Sequence, residues 1–227
     1  MNSPKIDFAV INPDAPADSL EAKQPYIDNG TECYSKEGYF SRDYMNREWQ
    51  KLWTDTWLIA GVVSDIPKIG DYFLFDIGDE SIIVTRTEEG IKAFYNVCSH
   101  RGARLVWNER GNKKVFVCPF HSWSFHHTGE LRRITDEDTF HPDVVAHRPG
   151  LTPLSCEEHA GIVFINMGDE PPPLADSIGL PEGYLEAYRI NEMKVVRHVR
   201  SEWGANWKVG VEAVSYTHLR AHETQEV

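Results

Sequence analysis

The chain has 227 residues, 41% of them hydrophobic, and a net charge of −12, which is length enough for one or two ordinary cores. The acidic balance argues against nucleic acid and anionic membrane surfaces as partners, because both need basic patches. No run of about 18 apolar residues is there to span a bilayer. Met1–Pro16 lacks a basic-then-apolar signal pattern, so a soluble, cytoplasmic protein is expected. Cys33 and Cys156 stand alone and are expected to stay unpaired, as is usual in a reducing compartment.

Residues 1–40 are polar and punctuated by Pro and Gly, which predicts an extended N-terminal arm. Ser41 then reads as an N-cap with Asp43 in the first turn. Met45, Trp49, Leu52 and Trp53 follow at i, i+4, i+7 and i+8, a spacing that predicts an amphipathic helix to about Thr56, its aromatic stripe packed on a core. From Trp57 the pattern changes to short apolar runs between turn residues. Strands are expected at Leu58–Val63, Tyr72–Ile77, Ser81–Arg86, Ile91–Val97, Lys114–Val117, Ser122–His126 and Gly161–Met167. The breaks at Gly70-Asp71, Gly78-Asp79, Glu89-Gly90 and Thr128-Gly129 supply the turns. Pro171, Pro172 and Pro173 end this mostly β, antiparallel domain (41–170), and 171–190 reads as a linker in which Pro181 opens a short helix through Tyr188. Met193–Trp203 alternates loosely as a further strand, at the start of a second, incomplete domain over 191–213.

Four residues carry most of the chemical information. Cys98 and His100 form a C-x-H pair, and after an interval of seventeen residues Cys118 and His121 form a C-x-x-H pair. Each pair is short enough for one tight loop, and two loops at the tips of a small β-scaffold can hold a metal centre between them. Two thiolates and two imidazoles suit tetrahedral zinc, but zinc spacings usually pair C-x-x-C with H-x-x-x-H rather than placing one Cys and one His on each loop. The set resembles the ligands of a Rieske [2Fe–2S] cluster, in which thiolates hold one iron and imidazoles the other.

The flanking residues sharpen that resemblance. Cys98-Ser-His100-Arg101-Gly102 and Cys118-Pro119-Phe120-His121-Ser122-Trp123 are similar to the loops C-x-H-R-G and C-P-[YF]-H-G-W of ring-hydroxylating oxygenase α-subunits. Ser122 stands where that pattern has Gly. The respiratory type of Rieske protein is less similar, since its extra cysteines are replaced by Ala103 and Phe120. Asn206-Trp207-Lys208 resembles the element that opens the family's α+β helix-grip catalytic domain, so the likeness runs from about Ser41 to Glu212. It implies that Cys98, His100, Cys118 and His121 bind the cluster. It further implies that full-length members carry a mononuclear Fe(II) held by two histidines and a carboxylate, accept electrons from a reductase or ferredoxin, and commonly form trimers.

Tyr216-Thr217-His218 and His222 fall where the family places its iron-binding histidines, but an extra Thr and a short interval break the motif. The segment VSYTHLRAHET, Val214–Thr224, can be back-translated throughout into the transposase adapter of tagmentation sequencing libraries. Residues 214–227 are therefore expected to be an artefactual tail beyond a native frame that stops near Ala213, with Gln225–Val227 left unexplained.

The leading functional expectation is the Rieske electron-transfer portion of an oxygenase α-subunit, an oxidoreductase by descent that has no catalytic residue of its own and is inactive alone. A stand-alone Rieske ferredoxin and a zinc-stabilised module are the alternatives. Arg101 and Trp123, beside the ligands, are candidates to shield the cluster or simply to pack. His126, His127, His141, His147, His159 and His198 are expected at the surface, and Asp136-Glu137-Asp138 reads as a solvated loop. No glycine-rich dinucleotide fingerprint follows a strand, so no built-in NADH site is expected.

Overall fold

The computed structural model describes residues 35–180, 182–197 and 199–220, the last seven of these by backbone alone. The chain divides into two compact units, Met45–Trp203 and Met1–Tyr44 with Gly204–Val227.

The larger unit is built from antiparallel strands. β1 (Leu58–Val62), β2 (Asp71–Ile77), β3 (Glu80–Thr87), β4 (Gly90–Tyr95), β5 (Arg110–Asn112), β9 (Pro153–His159) and β10 (Ile162–Asn166) form a seven-stranded sheet in the order β1-β10-β9-β4-β3-β2-β5. β6 (Val115–Val117), β7 (Ser124–His126) and β8 (Leu131–Arg133) form a three-stranded sheet in chain order. Two-residue turns set the register, which runs Tyr72↔Thr85 to Ile77↔Glu80 between β2 and β3 and Ile82↔Tyr95 to Thr87↔Gly90 between β3 and β4. Gly78, in the first of these turns, has φ +56° and lies so close to the Trp49 ring that a Cβ would sit 2.7 Å from it.

β3 is an interior strand between β4 and β2, and alternation along it sends side chains into two cores. Ile83 joins Tyr72, Phe94, Phe116, Trp123 and Phe125 on one face, together with both candidate ligand cysteines. Ile82 and Val84 join Ile66, Phe73, Ala93, Val163 and Ile165 on the other. Such two-sided burial explains the uninterrupted apolar run in β3. Burying each Ile or Val removes apolar surface worth about 2 kcal/mol.

Seven of the eight expected strands are present, Ser122–His126 being shortened to Ser124–His126 because Ser122 turns into a left-handed conformation with φ +59°. Three strands, β5, β8 and β9, carry no clear apolar alternation. The helix is correctly placed but differs in form. Ser41 Oγ accepts the Tyr44 amide at 3.3 Å, as an N-cap should. α2 (Arg42–Glu48) then gives way to a wider π-type turn over Trp49–Trp53, closed by the Thr54 amide on Trp49 O at 3.0 Å. Ahead of it α1 (Glu37–Phe40) is a helical turn at the end of the expected extended arm. α3 (Pro142–Ala146) and α4 (Leu174–Ser177) are single turns. Of the expected helix opening at Pro181, which itself lies outside the described residues, only a 3₁₀ turn at Glu186–Tyr188 is seen. Met193–Trp203 is not a strand over its described residues, because no neighbouring strand offers a ladder. Val196 is 99% exposed, so the alternation there has no buried face.

In the smaller unit α5 (Trp207–Arg220) follows Asn206. Asn206 Nδ2 donates to Tyr39 O at 3.2 Å, and the Lys208 ammonium lies 5.1–5.7 Å from the ring centres of Tyr39, Tyr44 and Trp207.

One buried amide fixes where the first ligand loop leaves the sheet. Asn96, just past β4, accepts the Leu105 and Val106 amides at 3.1 and 2.9 Å. It donates to Val106 O at 2.7 Å and Ser81 Oγ at 3.1 Å. Replacement by alanine would orphan the buried Leu105 and Val106 amides, while Val106 O keeps Arg104 Nε at 2.9 Å, so Asn96→Ala is expected to cost about 3 kcal/mol and lower Tm by roughly 10 °C. A thermal melt indistinguishable from the parent would show that the staple contributes nothing.

Candidate metal centre

The two candidate loops are built alike. After β4, the Cys98 amide donates to Ala103 O at 2.8 Å and Cys98 O accepts the Gly102 amide at 3.0 Å. After β6, the Cys118 amide donates to Trp123 O at 2.7 Å and Cys118 O accepts the Ser122 amide at 2.9 Å. Each reversal starts at a cysteine and closes through a left-handed residue four positions on, Gly102 at φ +76° and Ser122 at φ +59°. The first loop is tied off by a bridge between Val97 and Arg104, the second by the β6–β7 pairing.

This construction gathers the four side chains singled out in the sequence. Cys98 and Cys118 are 1% and 2% exposed, share one hydrophobic core, and lie close enough for the Cys118 thiol to perturb that of Cys98. The His100 and His121 rings meet edge to face with centroids 4.8 Å apart. Burial, together with the neighbouring Cys118 thiol, pushes the Cys98 thiol up to about 11, so it stays protonated near neutrality unless a cation draws the proton off. His100 is held below the usual imidazole range, first by desolvation and then by His121, Arg101 and Arg148.

The histidine nitrogens test whether an inorganic cluster fits. His100 Nδ1 and His121 Nδ1 are both buried and have no hydrogen-bond partner in the protein. A buried nitrogen without a partner costs about 1–3 kcal/mol, so two of them, on neighbouring loops whose imidazole rings meet, suit a group that offers vacant coordination positions. The donors form a thiol pair and an imidazole pair, which is the grouping of a two-iron cluster with unlike ends.

Around the pair the structure settles several sequence expectations. Trp123 is buried and stacks on His100, with centroids 4.5 Å apart and planes within 11°. Phe140 packs edge-on against both rings. Arg101 is exposed. Asp136, Glu137 and Asp138 are all exposed on a solvated turn, as expected, with Asp136 in a left-handed conformation. The expectation for His127 is corrected. It is 7% exposed, its Nε2 lies 3.1 Å from Glu88 Oε2, and its Nδ1 lies 3.3 Å from Lys114 O. Glu88 is distant in sequence, so nothing local signalled the burial. His141 and His147 are exposed, His126 and His159 half-buried, and His198 and Cys33 lie outside the described residues. Cys156 is a free thiol pushed up to about 12 by burial and then by Glu157 and Glu158. It lines a cavity of about 480 Å³ beside Phe94, Gly129 and Leu151, and none of the four candidate ligands reaches that cavity.

The two β-sheets and paired loops define an iron–sulfur domain of the Rieske class, and residues 56–148 match the Rieske [2Fe–2S] domain. The chain is also 32% identical over 200 residues to the glycine betaine monooxygenase oxygenase subunit of Chromohalobacter salexigens, covering 88% of this chain and 43% of that protein. It is 30% identical over 206 residues to the anthranilate 1,2-dioxygenase large subunit of Burkholderia cepacia, covering 87% and 48%. The crystal structure of the quaternary ammonium Rieske monooxygenase CntA with L-carnitine superposes with a TM-score of 0.71 at 30% identity, over 83% of this chain and 55% of that one. The chain thus carries a Rieske [2Fe–2S] domain and is similar over most of its length to oxygenase subunits, while spanning about half of theirs.

Ser122 departs from the family loop at the one position where the backbone is left-handed. Ser122→Gly should raise stability by about 1 kcal/mol, relief of the strained φ outweighing the entropy glycine loses on folding. Differential scanning calorimetry would show a rise of a few degrees, and an unchanged or lower Tm would mean that the turn is not strained.

Proposed function

We propose that Cys98 and Cys118 hold one iron, and His100 and His121 the other, of a Rieske [2Fe–2S] cluster, and that the chain is the electron-transfer portion of an oxygenase subunit. The observation that carries this reading is the sulfur pair beside a nitrogen pair whose two buried Nδ1 atoms have no protein partner. When bound, the cluster supplies a one-electron relay whose imidazole ligation raises its potential above that of an all-thiolate centre.

The protein's own part is to bind, orient and shield. Trp123 and Phe140 cover His100, while Phe120 on the second loop and Trp107 just past the first are 68% and 61% exposed. With Ala103, Arg104 and Pro119 these two line an apolar groove of about 370 Å³ next to His121. Exposed aromatics beside the ligands make this the face on which we place the electron donor, a reductase or ferredoxin. Among the described residues no helix is long and apolar enough to cross a membrane, and we place the protein in the cytoplasm.

In the whole enzyme the relay would feed a mononuclear iron that activates dioxygen toward a quaternary ammonium or aromatic substrate, the two chemistries named for its relatives. A stand-alone ferredoxin is disfavoured, because similarity to oxygenase subunits covers 88% of the chain, far more than the Rieske domain alone requires.

The full chain, purified anaerobically and supplied with iron and sulfide, should become coloured, take up two irons per chain and give a rhombic EPR signal on reduction with dithionite. His121→Ala and Cys118→Ser should each abolish the signal. A colourless, zinc-loaded protein would overturn the reading.

A further inference from the structure

Arg148 follows α3, its amide donating to Val145 O at 3.2 Å. Its guanidinium carbon lies over Trp123, 5.3 Å from the ring centroid, and Trp123 is the ring that stacks on His100. Arg148 Nε is buried without a hydrogen-bond partner, and among the described residues no carboxylate pairs with the side chain. Arg101 also lies within electrostatic reach of His100, but it is exposed and its charge is screened by water.

A guanidinium with a buried, unsatisfied nitrogen is costly unless something nearby rewards its charge. The Trp123 ring face supplies part of that, about 1 kcal/mol for such a contact. The rest requires negative charge close by, and no acidic side chain provides it. The neighbouring centre would on reduction, since two ferric irons, two sulfides and two thiolates with neutral imidazoles carry no net charge, and the one added electron leaves a net negative charge there.

We infer that Arg148 is a positioning residue that acts through Trp123, setting a fixed positive charge beside His100 that favours the reduced form of the cluster. The inference rests on the Rieske reading given above. The electron comes from an external reductant. The Arg148 charge acts by Coulomb attraction, which is stronger in a half-buried setting than in water.

The test uses the full chain loaded with iron and sulfide, with the midpoint potential read by EPR during dithionite titration. Arg148→Gln and Arg148→Met, which remove the charge at similar length, should shift the midpoint to lower potential with cluster content and g-values unchanged. Arg148→Lys, which keeps the charge, should stay near the parent value, and added salt should narrow the gap between parent and neutral variants. Equal shifts in all three variants, or none in any, would overturn the inference while leaving the Rieske reading intact. Failure of both neutral variants to hold a cluster would make Arg148 a structural residue and overturn it as well. Absence of a cluster signal in the parent would instead refute the Rieske reading and carry this inference with it.

Discussion

Two buried thiols share a core, and two half-buried imidazoles meet edge to face, each with a buried Nδ1 that has nothing in the protein to bind. The rest of the larger unit makes that arrangement possible. The thiols are part of the hydrophobic core formed with Ile83, Phe94, Phe116 and Phe125, so the loops cannot open without exposing that core. A buried, partnerless nitrogen is tolerated in folded proteins mostly where a ligand, ion or chemical role accounts for it. Here the same packing that stabilises the sheets also holds the donors in place.

The supports differ between the loops. The first relies on Asn96, whose amide replaces a missing strand partner for Leu105 and Val106. The second relies on the short β6–β7 pairing and on Trp123, which closes the Cys118 turn through its backbone and covers His100 with its ring. One residue therefore links the two loops, joining a backbone role on one to a packing role on the other. Phe140 and Arg148, on and after the turns beyond β8, complete the cover.

Legibility in the sequence followed the range of the interaction. The strands whose apolar residues alternate or run together, such as β3 and β10, were readable because their burial pattern is local. The ligand pairs were readable because each sits on one tight loop. β5 (Arg-Gly-Asn) and β9 (with Glu157 and Glu158) were not, since they belong to the sheet through backbone pairing rather than through apolar content. Met193–Trp203 misled for the converse reason, as alternation without a neighbouring strand makes no ladder. Asn96, His127 and Arg148 were invisible because each acts on groups far away in the chain, and polar residues at such positions usually meet water. The fold class, mostly β and antiparallel, and the Rieske assignment came through intact, the latter because two short motifs fall at the right interval.

The central claim is that nitrogen donors from both histidines meet the same two-iron centre whose other iron is held by Cys98 and Cys118. Electron spin-echo envelope modulation on the reduced, iron-loaded chain tests it most directly. The account predicts couplings from two imidazole nitrogens, reduced to one in His100→Ala or His121→Ala if the centre survives. A spectrum free of strongly coupled nitrogen in the parent protein would contradict it.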